Sequence, residues 1–148
     1  MTAFLVGIAL AITVGAFAMS TGLDRDRAFY PTVLIVVGSY YALFAVQGSA
    51  PEILAWEIVG LLLFAGAAIL GFRTSLWIAV AGLAGHGLFD AVHGHLLANP
   101  GTPNWWPPFC AAYDLTAALW LALRIAGKRA PRLRSKAARL NFPFADRA

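Results

Sequence analysis

The chain has 148 residues, of which 60% are hydrophobic and 12% charged, with a net charge of +4. Soluble domains carry about a quarter charged residues, and one small core cannot hide this much apolar surface. A soluble globular domain, a disordered chain and a secreted disulfide scaffold are therefore excluded, and the solvent is read as lipid. The single cysteine, Cys110, also excludes an intrachain disulfide and any Cys-x-x-Cys motif.

Five apolar stretches follow in chain order, at about 3–20, 30–48, 53–72, 74–96 and 108–126. Each approaches the ~20 residues that cross a hydrocarbon core of ~30 Å. The first has no basic residues ahead of it, so it reads as a retained helix rather than a cleaved signal, despite Ala16-Phe17-Ala18. Asp24-Arg25-Asp26-Arg27 breaks it from the second. Gly48 to Pro51 forms a turn whose proline suits a helix start. Gly71 is expected to end the third helix, with Thr74 and Ser75 as N-caps for the fourth. The loop from Asn99 to Pro108 is rich in proline and tryptophan.

Charge sets the expected orientation. With five crossings, all 11 Lys/Arg fall on one side: in the segment after helix 1, at Arg73, and from Arg124 onward. The positive-inside rule makes that side cytoplasmic. The expected fold class is thus all-α, a polytopic five-transmembrane-helix bundle, N-out and C-in, in the inner (plasma) membrane. Residues 1–126 form the transmembrane domain and 127–148 a basic cytoplasmic tail. After Pro131, Leu133, Ala137 and Leu140 share a helical face among basic residues, a pattern that suits anionic lipids or simply a solvated tail. Neither reading makes the chain a nucleic-acid binder.

Few ionisable residues lie inside the crossings: Glu57, His86, Asp90, His93 and Asp114, with His95 near a helix end. Such groups are costly in lipid, so they face the bundle interior and find partners. At 100° per residue, Asp90 stands about 40° from His86 and His93 about 20° the other way, on one narrow helix face. Counting from the outer ends of helices 3, 4 and 5, Glu57, Asp90 and Asp114 all lie about 9–10 Å deep. Gln47 and Cys110 could join the rim of that layer.

Imidazole and carboxylate are ligands of Zn and Fe sites, and bundle cores build such sites from facing helices. His86, Asp90 and His93 are accordingly the expected metal ligands, with Glu57 and Asp114 as catalytic base or orienting groups. The enzymatic form would be a metal-dependent reaction on an apolar substrate. The spacing is not His-Glu-x-x-His, and three histidines are too few for the boxes of membrane desaturases. Other readings stay open: a non-catalytic subunit or transport component using the cluster for proton transfer or helix docking, or a quinone or lipid-headgroup pocket.

Trp56, Trp105, Trp106, Tyr30 and Trp77 fit interfacial belts, while Asn99 and Asn104 read as ordinary interfacial groups. Tyr40, Tyr41 and Ser39 read as packing residues that could lend hydroxyls. Gly7, Ala11 and Gly15 recur every fourth residue in helix 1, which permits close approach within the fold or in a homodimer.

Overall fold

In the computed structural model the described residues are 1–48 and 50–140, with side chains described up to residue 127. The architecture is all-helical: α1 Thr2–Thr21, a 3₁₀ turn Leu23–Arg25, α2 Phe29–Gly48, α3 Pro51–Arg73, α4 Leu76–Leu96 and α5 Trp106–Leu140. Five helices are long and apolar enough to cross a membrane, α5 over Trp106–Gly127. The α5 backbone stays helical beyond that span to Leu140. The side chains on which the amphipathic reading of the tail rests, and residues 141–148, lie outside those described.

Local chemistry explains the breaks. Gly22 ends α1 in the left-handed region at φ 82°, which its missing Cβ permits. Asp26 Oδ1 accepts from the Ala28 amide at 3.0 Å just before α2 begins. Pro51 occupies the first turn of α3, where its lost N–H has no helical partner to miss. Ser75 caps α4 by accepting from the Trp77 amide. Gly71 does not end α3, which continues to Arg73. A Cβ there would stand 3.0 Å from the Ala79 amide nitrogen, so this glycine lets α3 and α4 meet closely beside their turn.

The helices do not pack in simple chain order. α1 lies along α5, α5 along α4, α4 along α3 and α3 along α2, while α2 also touches α4. The Gly7, Ala11 and Gly15 stripe is buried because α5 seats on it. A Cβ on Gly7 would run into the Phe109 carbonyl oxygen, and one on Gly15 would stand 2.8 Å from the Trp120 ring. This face of α1 is therefore occupied within the chain, and a homodimer through α1 would have to use its other faces.

Burial is inverted relative to a soluble protein. Leu62, Leu63, Phe17 and Leu119 are exposed, whereas Asp24, Glu57, His86, Asp90, His93, Asn99 and Asp114 are buried. That is the arrangement lipid favours, since polar groups find partners only inside the bundle. The aromatic residues divide between surface and core. Trp56, Trp77 and Trp105 are exposed, as interfacial anchors would be. Trp106 and Tyr30 are core residues instead, Trp106 packing its ring 4.6 Å from that of Tyr40.

At one end of the bundle Arg124 and Asp24 form an ion pair, and Arg27 donates to the Gly71 carbonyl at 3.2 Å. The opposite end carries the loop from Leu97 to Trp105, beside which the buried acids and histidines gather.

Candidate functional site

Three helices build the centre of this cluster. α4 presents His86 and Asp90 one turn apart, and α5 presents Cys110 and Asp114, also one turn apart. Gly87 lets the two helices close. A Cβ at that position would lie 3.1 Å from the Ala111 carbonyl oxygen and 3.3 Å from Asp114 Cβ. His86 Nδ1 then reaches Asp114 Oδ2 at 2.6 Å and lies 3.6 Å from Asp90 Oδ2. The Cys110 thiol points to Asp114 Oδ2 at 3.7 Å. From α2, the Tyr41 hydroxyl donates to Asp90 Oδ1 at 2.7 Å, and Phe64 of α3 covers the His86 ring edge-to-face at 4.7 Å.

These four residues are buried, and one donor atom from each of His86, Asp90, Cys110 and Asp114 lies within 4.8 Å of all the others. A tetrahedral metal with ligand bonds of ~2.0–2.3 Å sets its donors about 3.3–3.8 Å apart. The cluster is thus compatible with a metal ion after side-chain adjustments of an ångström or so. Two of its oxygens, Asp90 Oδ2 and Asp114 Oδ1, are buried without a hydrogen-bond partner among the described residues. Buried carboxylate oxygens are normally satisfied, and a cation would satisfy both. One imidazole, one thiol and two carboxylates form a donor set that could hold a metal ion.

A second network adjoins the first. His93 Nε2 meets Glu57 Oε1 at 2.8 Å, and the Asn99 amide nitrogen donates to the same oxygen at 2.8 Å and to the Tyr41 carbonyl at 3.0 Å. The Tyr41 ring stacks on His93 with centroids 3.7 Å apart. Tyr41 therefore joins the networks, its hydroxyl in one and its ring and carbonyl in the other.

All five residues expected from sequence are buried, but they divide differently from the expected roles. His86 and Asp90 belong to the potential metal group together with Asp114 and Cys110. His93 faces Glu57, whose carboxylate holds the ring and Asn99 rather than reaching the central donors. Gln47, His95 and Asn104 are exposed and take no part. Ser39 bonds within its own helix, to the Val36 carbonyl.

Sequence reasoning underrated three contributors. Tyr41 lies about as far from the C-terminal end of α2 as the acids lie from the helix ends on that same side of the bundle, so depth could have singled it out. Cys110 shares a face with Asp114 at i, i+4, a relation that pointed to it as well. Asn99 lies in a loop, where neither periodicity nor depth applies, and its inward turn is fixed partly by Oδ1 accepting from the Gly101 amide. No known protein family, curated protein or solved structure matches this chain.

Proposed function

We propose that this chain is an integral membrane protein of the plasma membrane that binds a divalent metal ion, Zn or Fe, through His86, Asp90, Cys110 and Asp114. The observation that carries the reading is the convergence of four buried donor residues, two of whose carboxylate oxygens make no hydrogen bond among the described residues. Glu57 and His93 position the site: they fix the ring on which Tyr41 stacks, and Tyr41 in turn orients Asp90, as partners behind metal ligands commonly do. A bound ion would supply Lewis acidity, and an activated water where one of the four donors yields its position.

The enzymatic form of this reading is a metal-dependent reaction on an apolar substrate. Its support is a groove of about 580 Å³ between α1, α2 and α5, lined mainly by apolar side chains and reaching Cys110 at the edge of the cluster. A proton path receives less support. The direct contacts joining the two networks through Tyr41 are a stacked ring and a backbone carbonyl, neither of which passes a proton. Metal analysis of detergent-purified protein separates the readings. Wild type and His93→Ala should retain metal while His86→Ala loses it. Equal retention in all three, or metal well below stoichiometry throughout, would remove the metal reading.

Orientation belongs to the same proposal: N-terminus outside, C-terminus in the cytoplasm, the His/Asp/Cys cluster nearer the outer face. Segregation of the 11 basic residues supports it. A reporter fused after Arg129 should be active only in its cytoplasmic form, and periplasmic activity would reverse the topology. The basic tail is proposed to rest on anionic lipids.

A further inference from the structure

A second cavity, of about 540 Å³, opens at the other end of the bundle, among the 3₁₀ turn, α2, α4 and α5. Its polar wall is made by Asp24, Arg27, Tyr30, Thr74, Ser75 and Arg124. Two guanidinium groups face one carboxylate there, leaving the wall a net positive charge. The start of α4 adds the partial positive charge of a helix N-terminus, with the Trp77 and Ile78 amides already donating to Ser75.

Among the described residues several of these groups lack partners. Tyr30 is only 5% exposed, yet its hydroxyl makes no hydrogen bond. Arg124 spends one terminal nitrogen on Asp24, while its Nε is buried and unpaired. Asp24, 8% exposed, keeps Oδ1 unpartnered. Arg27 commits one nitrogen to the Gly71 carbonyl, leaving most of its five donors available. Buried polar groups without partners are uncommon, and the residues that carry these three, from different elements, all line one cavity.

We infer that this cavity binds a phosphate group carried by a lipid headgroup. Arginine donors and a helix N-terminus match phosphate oxygens, and the Tyr30 hydroxyl supplies a further donor. The free oxygen of Asp24 accepts from a hydroxyl or ammonium of the headgroup, which explains a carboxylate within a phosphate site. Leu76, Trp77, Leu121 and Ile125 complete the lining, offering apolar contact to the glycerol and upper acyl chain. The site is independent of the metal cluster and uses none of its residues.

Native mass spectrometry of the full chain, purified in mild detergent, tests this with dioleoyl-phosphatidylglycerol, dioleoylglycerol and inorganic phosphate as probes. The phosphatidylglycerol adduct should persist under activation that strips dioleoylglycerol. Arg27→Gln and Tyr30→Phe should each weaken it about tenfold, the loss expected for one charge-assisted hydrogen bond. Leu62→Ala, on an exposed face, should leave it unchanged. If inorganic phosphate displaces the lipid, the phosphate chemistry stands and a soluble source can supply it; if it does not, the lipid is the ligand. Equal retention of phosphatidylglycerol and dioleoylglycerol, or wild-type retention in both variants, would overturn the inference.

Discussion

Asp114→Ala is expected to lower the unfolding free energy by about 3–5 kcal/mol, the range for breaking a buried acid–base pair by removing one partner. Asp114 is completely buried and holds His86 at 2.6 Å, with the Cys110 thiol on the same oxygen. The substitution takes from the imidazole and the thiol the acceptor they share, leaving His86 only the longer 3.6 Å contact with Asp90 Oδ2, and neither group can turn to water. Replacing both Asp114 and His86 by leucine removes the stranded imidazole along with the interaction and leaves only the weakly polar Cys110 thiol, so the double variant should recover most of the loss. Denaturant unfolding in detergent, followed by the fluorescence of the five tryptophans, reads both. A loss below about 1 kcal/mol for Asp114→Ala would mean that the pair contributes no more than an exposed ion pair does.

Gly7→Leu should disrupt the bundle at its other critical contact. Its Cβ would run into the Phe109 carbonyl oxygen and lie 3.1 Å from Ala112 Cβ. A main-chain carbonyl cannot rotate aside as a side chain can, so α1 must lift from α5. Overpacking typically costs about 1–3 kcal/mol, and the upper part of that range is expected here. Gly66→Leu is the matched control, because a Cβ at Gly66 meets nothing within 4 Å. It should be neutral or slightly stabilising, since leucine favours helix over glycine by up to ~1 kcal/mol. Similar losses in the two variants would show that the α1–α5 contact is not the cause.

Much of this architecture is legible from patterns that lipid enforces. Helix spans follow from apolar length, and the breaks from the Asp24–Arg27 run, Pro51 and Ser75, whereas Gly71, expected to end the third helix, lies within it and Gly22 ends the first. The burial of Glu57, His86, Asp90, His93 and Asp114 follows from the cost of exposing them to hydrocarbon. The pairing of these residues is less legible. His86 and His93 share a face of α4, so periodicity treats them alike, yet one meets α5 and the other α3. What separates them is the lateral order of helices, in which α5 and α3 flank α4 on different sides. Nothing in the spacing of a single helix encodes that order. Gly87 does so indirectly, by allowing α5 to approach at Ala111 and Asp114.

The same reasoning applies to residues assigned to the surface. Trp106 and Tyr30 stand at helix ends, where aromatic belts are expected, but tertiary packing buries both. Asn99 looked interfacial because it follows α4 in a polar loop. That loop folds inward, and Asn99 closes it over Glu57 and the Tyr41 carbonyl. Helical geometry predicts helical neighbours well; it says little about a turn that doubles back onto them.

Cobalt(II) titration of the full-length protein in detergent tests the central claim most directly, because a thiolate ligand gives cobalt an absorption band of its own. The predicted result is such a band, saturating at about one ion per chain in a closed site of four donors. It should be lost in Cys110→Ser, weakened or lost in His86→Ala and retained in His93→Ala. A wild-type protein with no cobalt band, or a band indifferent to Cys110→Ser and His86→Ala, would contradict the account.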